Sequence, residues 1–319
     1  MKNNPWQNIK PSIRENAING ILADQSHLLE FYWAKDISGN FLFVLSASSK
    51  IILTADIPKL YGIDISVGKH NRSNQLIFTL ASKEDKEIFY TLCMDLVNST
   101  KELHDEDYAI NTVLLRLEKW QYFLKNKRKP IDKRQLRGLI GELLFLKNYL
   151  LVNYSAEDAL TFWRAPLQSV HDFAFSGFSV EVKTKSSVNT VHISSYEQLF
   201  SELEHLLLYV ATLNESTAST LKAFNIYNLI DDIKSLLRNV LYKERFENLL
   251  MQYGFLEREE YKEYWFLLIA DEFYEVSEGF PRIAELPDGV EALTYRVNLE
   301  KCKNYRAEEK ILQKAGLKK

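Results

Sequence analysis

The stretch HDFAFSGFSVEVKTK, residues 171–185, sets Asp172, Glu181, Lys183 and Lys185 into an otherwise apolar alternation. Ser-Gly is a hairpin dipeptide, so the segment predicts two antiparallel strands around a turn at Ser176-Gly177. Counting outward from that turn pairs Phe175 with Phe178, Phe173 with Val180, and Asp172 with Glu181. Directly opposed residues have Cβ atoms about 4.5–5.5 Å apart. This register sets two carboxylates side by side, with Lys183 and Lys185 on the same face. Val180, Val182 and Thr184, with Phe173 and Phe175, take the face predicted to pack inward.

Like charges opposed across a hairpin destabilise it unless something offsets the repulsion. A shared proton, the Lys183 ammonium or a divalent cation would each do so. Mg²⁺ takes one or two carboxylates, keeps several waters and completes its shell with phosphate oxygens. A carboxylate pair beside an ammonium therefore suits metal-assisted hydrolysis of a phosphodiester. A solvated strand face with a chance ion pair explains the same residues. Glu-x-Lys recurs at Glu84, Glu260 and Glu308, but within charged segments; only Glu181 lies in an apolar strand with an acid registered opposite.

The elements that must position these groups begin with a helix predicted over 132–152, in which Arg134, Gly138 and Glu142 share one stripe. Leu136, Leu139, Ile140, Leu143, Leu144 and Leu146 supply its apolar face. Gly138 and Gly141 each cost about 1 kcal/mol against alanine inside a helix, which predicts close approach of another backbone. A solvent-facing Glu142 with packing glycines is the alternative. After the hairpin we expect a strand at NTVHIS, a turn or short helix at SSYEQLFSEL and a strand at EHLLLYVATL. Helices across 225–253 follow, then strands at YWFLLIADEFYEV and VEALTYRVNL, and a basic helical tail. Upstream, four aromatic and β-branched runs between 28 and 81 read as strands. A helix capped by Ser82 and another over 105–125 follow. The pattern predicts a β-rich N-terminal domain, 1–104, and an α/β domain, 105–319, joined somewhere between 100 and 130.

The chain has 319 residues, 46% hydrophobic and 26% charged, which excludes a largely disordered protein. Its formal net charge is −3, so any anion-binding surface must be local. Cys93 and Cys302 form neither a ligand pattern nor a disulfide framework. The polar N-terminus is no signal peptide, and no apolar run spans a membrane; a soluble, cytoplasmic protein is expected. LKNKRKPIDKRQLR holds seven basic residues, Lys125, Lys127, Arg128, Lys129, Lys133, Arg134 and Arg137, against Asp132 alone. It could meet a phosphate backbone or serve as a solubilising loop. His192, His205 and Trp33 read as core or surface residues.

Together these residues resemble the PD-(D/E)XK nuclease superfamily. Glu142 matches its helix acid, Asp172 its hairpin acid, and Glu181-Val182-Lys183 its (D/E)XK element; His171 replaces the proline of PD. Gln198 falls where some relatives carry a glutamine near the active site. More narrowly, the order RGLIGELLFL, W…HDF, EVKTKSS, VHISSYEQL and FPRIAELPDGVEALTYRVNL resembles a bacterial family of PD-(D/E)XK proteins. Genes of that family are often found beside restriction–modification and phage-defence genes.

The resemblance implies a restriction-endonuclease-like core, namely a helix, an antiparallel hairpin and a mixed sheet flanked by helices. It also implies a Mg²⁺-dependent endodeoxyribonuclease, with Mn²⁺ as a possible substitute. Asp172, Glu181 and the Val182 carbonyl would hold the ion, Glu142 would contribute through water or a second ion, and Lys183 would position or activate water. Gln198 would orient Lys183 or contact phosphate. Lys129, Lys133, Arg134, Arg137 and Lys185 would meet DNA. A homodimer, or action only with defence-system partners, fits the same resemblance. A non-catalytic nucleic-acid-binding or scaffolding subunit and an RNA-directed nuclease are the competing readings.

Overall fold

The computed structural model describes residues 4–14, 17–54, 56–70, 72–125, 131–167 and 169–317. The chain forms two compact units, Met1–Pro130 and Ile131–Lys319. The division falls at Pro130 rather than at 105.

In the first unit, β1 (Asn19–Leu22), β2 (Glu30–Lys35), β3 (Phe41–Ala47), β4 (Ile63–His70) and β5 (Ser73–Leu80) form one antiparallel sheet, ordered β1-β2-β3-β5-β4. The polar stretch 68–74 carries the end of β4 and the start of β5. Short α1 (Ile51–Thr54) precedes α2 (Lys86–Thr100) and α3 (Glu106–Lys125). Ser82 does not cap α2: it precedes a 3₁₀ turn, and its side chain makes no capping bond. Arg116 and Trp120 of α3 both donate to Asp95 of α2, which ties α3 to this unit and explains the later division. Trp33, Phe31, Phe43, Phe78 and Phe89 are buried together, so Trp33 is a core residue as expected.

The second unit opens with α4 (Lys133–Phe145), capped by Asp132. The Asp132 carboxylate accepts from Gln135 N at 2.8 Å, and the Gln135 side chain accepts from Asp132 N at 3.0 Å. A π-helical turn, Leu146–Leu150, links it to α5 (Leu151–Asn153), and α6 (Ala156–Phe162) follows. β6 (Phe173–Phe175) and β7 (Phe178–Lys185) form the expected hairpin, pairing Phe173 with Val180 and Phe175 with Phe178. Ser176 and Gly177 both have positive φ, 46° and 82°, as a type I′ turn requires. β8 (Thr190–Ile193) and a 3₁₀ turn, Tyr196–Leu199, lead to β9 (His205–Ser216), which lies parallel to β7. Helices α7 (Ile226–Leu236) and α8 (Val240–Tyr253) precede β10 (Trp265–Glu275), antiparallel to β9. The main sheet is thus mixed, ordered β10-β9-β7-β6. β11 (Tyr295–Asn298) covers less than the expected VEALTYRVNL strand and pairs with β8 alone. A short α9 (Glu309–Lys314) ends the described chain.

Alternation assigns the two sheet faces. Phe173, Phe178, Val180 and Val182 pack with Leu139, Leu143 and Phe145 of α4 in the larger core. The opposite face is covered around Leu206, Leu208, Val191 and Ile193, so the strand residues between Phe178 and Val182 are buried on both sides. Gly141 lies where α4 meets β7: a Cβ there would stand 2.5 Å from Thr184 Cγ2 and 3.2 Å from Val182 Cγ1. What approaches is side chain rather than backbone. At Gly138 the nearest atom, Tyr253 Oη, would be 3.8 Å away, so crowding does not require that glycine. Gly141→Ala is expected to destabilise this unit by about 1–3 kcal/mol through overpacking. Gly138→Ala should stabilise it by up to about 1 kcal/mol through helix propensity. Urea midpoints of the two variants check both signs.

Among the described residues no helix is long and apolar enough to cross a membrane.

Candidate active site

Asp172 sits one residue before β6. Its carbonyl accepts from Arg164 N at 2.7 Å and Ala165 N at 3.1 Å. Its Oδ2 accepts from Val182 N at 2.7 Å. The ladder therefore ends at Phe173–Val180, and the Asp172 carboxylate reaches across to the backbone beside Glu181. Glu181 is only 1% exposed, and Lys183 Nζ lies 2.6 Å from its Oε1. That ion-pair contact misses hydrogen-bond angles, and neither Glu181 oxygen has a well-formed hydrogen bond among the described residues. Lys183 Nζ also donates to Gln198 Oε1 at 3.1 Å, and the same oxygen accepts from Ser194 N at 2.8 Å. The 3₁₀ turn thus brings Gln198 to the lysine.

Glu142 comes from the third turn of α4 and is 5% exposed. Trp163 Nε1 donates to its Oε2 at 2.7 Å, and Tyr253 Oη donates to its Oε1 at 2.9 Å. A solvent-facing Glu142 is therefore ruled out. These four groups line one cleft of about 540 Å³, Glu142, Asp172 and Glu181 facing the single, partly buried ammonium of Lys183. Glu84, Glu260 and Glu308, the other Glu-x-Lys acids, are exposed.

The excess of acid shows in the protonation behaviour. Burial first, and the Asp172 charge second, push Glu181 up to about 8, with Lys183 pulling the other way. Burial raises Asp172 to about 6 against Lys183 and the Val182 N–H. Glu142 is driven well above the carboxylate range by burial and then by Asp172, despite its two donors. Burial alone would lower Lys183, but Glu181 and Asp172 outweigh it and hold the ammonium above its ordinary range. His171, in the place of the superfamily's proline, is held low by burial.

Among the described residues no three His, Cys, Asp or Glu side chains are grouped closely enough to enclose a metal ion by themselves. A hydrated Mg²⁺ does not need that: one or two carboxylates suffice, with waters and substrate phosphate completing the shell. Glu181, buried beside Asp172 with only the Lys183 ammonium against its Oε1 and no partner for its Oε2 among the described residues, is such a donor set, and the residues fit the ion.

The basic residues divide. Arg134 and Lys185 line the cleft. Lys133 instead pairs with Glu215 at 2.8 Å and lies over the Tyr264 ring. Arg137 reaches the cleft wall but donates to the Leu213 carbonyl at 2.5 Å. Lys127, Arg128 and Lys129 lie outside the described residues, as does the side chain of Lys125. Residues that sequence reasoning left without a role are Trp163, Tyr253, His192 and Arg296. Trp163 has a signal, since it is the W of the W…HDF order that carries the resemblance; Tyr253, at the far end of α8, has none.

A helix bearing a buried glutamate, a hairpin bearing Asp172 and Glu181-x-Lys183, and a parallel neighbouring strand make up a restriction-endonuclease-like α/β fold. The family model described as "Putative PD-(D/E)XK family member, (DUF4420)" matches residues 2–300, and the chain belongs to that family. PD-(D/E)XK proteins are generally nucleases and typically use divalent metals. No curated protein and no solved structure matches the chain.

Proposed function

We propose that this protein is a Mg²⁺-dependent endodeoxyribonuclease, acting in restriction or phage defence as a homodimer or with partners of the same system. The observation that carries this reading is Glu181: a buried carboxylate, ion-paired through Oε1 to Lys183 and set beside Asp172, on the wall of an open cleft. Three acids facing one ammonium leave the cluster with excess negative charge, which a divalent cation would offset.

Asp172, Glu181 and the Val182 carbonyl would hold Mg²⁺ or Mn²⁺, with Glu142 behind them. When bound, the ion supplies Lewis-acid polarisation of the phosphate. The remaining work falls to the chain's own residues. The Val182 N–H fixes the Asp172 carboxylate, and Trp163 and Tyr253 fix Glu142. Gln198, itself anchored by Ser194 N, aims Lys183. An ammonium held above its ordinary pKa carries its proton, so Lys183 orients the attacking water and offsets phosphoryl charge rather than acting as a base.

Purified protein incubated with supercoiled plasmid and Mg²⁺ should nick and linearise it, stop on addition of EDTA, and leave single-stranded RNA intact. Cleavage of RNA alone would make it a ribonuclease. DNA binding indifferent to chelator, without cleavage, would make it a binding subunit.

A further inference from the structure

β8 and β11 form a ribbon separate from the main sheet, with Arg296 registered directly opposite His192. Val191, Ile193 and Val297 turn inward against Leu206 and Leu208 of β9. Period-two alternation therefore sends Thr190, His192 and Arg296 the other way, and all three line the cleft that holds Asp172, Glu181 and Lys183. Arg134, from the first turn of α4, lines it too. Burial first, then the charges of Arg134, Lys183 and Arg296, hold the His192 pKa below its ordinary value. The cations thus converge on one imidazole.

Arg134 and Arg296 have no hydrogen-bond or ion-pair partner among the described residues, whereas Arg137 is occupied by Leu213 and Lys133 by Glu215. Both arginines are exposed, so their guanidinium forks are open to an anion from solution. A guanidinium fork matches phosphate oxygens in two-point geometry. The TYRVNL segment thereby acquires a role that its sequence alone does not supply.

We propose that Arg296 and His192 of the β8–β11 ribbon, with Arg134 of α4, bind a backbone phosphate of the nucleic acid next to the phosphate that Lys183 faces. This rests on the nuclease reading for its substrate, but the contact is a binding contact and can be measured without cleavage.

The test is fluorescence anisotropy of a labelled DNA duplex in EDTA over a salt series, alongside plasmid cleavage by the wild type in Mg²⁺. Arg296→Ala should weaken binding roughly tenfold and reduce the slope of log affinity against log salt by about 1. Arg296→Lys should restore the slope while recovering only part of the affinity. Arg238→Ala, an exposed arginine outside the cleft lining, should change neither. Unchanged affinity and slope in Arg296→Ala overturn the proposal while a cleaving wild type keeps the nuclease reading. A wild type that fails to cleave, with binding still lost in Arg296→Ala, sinks the nuclease reading and supports the phosphate contact. A wild type that binds no DNA overturns both.

Discussion

Lys183→Met is expected to destabilise the Ile131–Lys319 unit by about 3–5 kcal/mol at pH 8–9 in the absence of metal. Glu181→Gln should stabilise it there by on the order of 2 kcal/mol. The opposite signs follow from an unbalanced cluster, with Glu142, Asp172 and Glu181 sharing the single ammonium of Lys183. Removing the lysine leaves three clustered acids, two of them buried, without a cation. Removing one acid relieves repulsion while Asp172 still faces Lys183. Glu181 is pushed up to about 8 in the folded protein, above its unfolded value of about 4.3. Its contribution to stability is therefore whole below about pH 4.3 and is lost as pH rises through about 8. Both effects should shrink at pH 5, where the acids are protonated. Urea midpoints read by hydrogen exchange of peptides covering β7, at pH 5 and pH 9 in EDTA, check this. Stabilisation by Lys183→Met at pH 9 would mean the acids are not buried together.

The second large effect is the pH dependence of stabilisation by Mg²⁺. Binding needs Asp172 and Glu181 deprotonated, and they sit at about 6 and about 8 without metal. The ion therefore competes with protons, and its affinity should climb by up to about tenfold per pH unit for each proton displaced. In a thermal-shift measurement the rise in Tm on adding Mg²⁺ should be negligible near pH 5 and grow steadily toward pH 8.5. Asp172→Asn should abolish it throughout. A shift of equal size at both ends of that range, or one that survives in Asp172→Asn, would put the cation somewhere else on the protein.

How much of this could be read from the residues alone depended on the range of the interaction. The hairpin was legible because its turn and its period-two pattern are local: Ser176-Gly177 sets the register, and the register sets which side chains share a face. Glu142 and Gln198 stand out through the family resemblance, and only the fold brings them to the cleft. Gly141 marked a close approach, although Thr184 rather than a backbone makes it. What stayed hidden is held by contacts between side chains far apart in sequence. Tyr253 meets Glu142 across 111 positions, and nothing in the local pattern of α8 announces it. Arg296 acquires meaning only once β11 pairs with β8. The basic run that leads into α4 reads as one patch when charge is counted along the chain. In space Lys133 turns to Glu215 and Arg137 to the Leu213 carbonyl, and Arg134 faces the cleft.

The proposed nuclease chemistry requires Glu181 and Lys183 to act together on a phosphodiester. Mg²⁺-dependent plasmid cleavage, compared among wild type, Glu181→Ala and Lys183→Ala after each variant is shown to be folded, measures this directly. The predicted result is cleavage by the wild type and a loss of at least about a thousandfold in either variant, in the range that removal of a principal transition-state stabiliser produces. Cleavage that persists undiminished in both variants would contradict it.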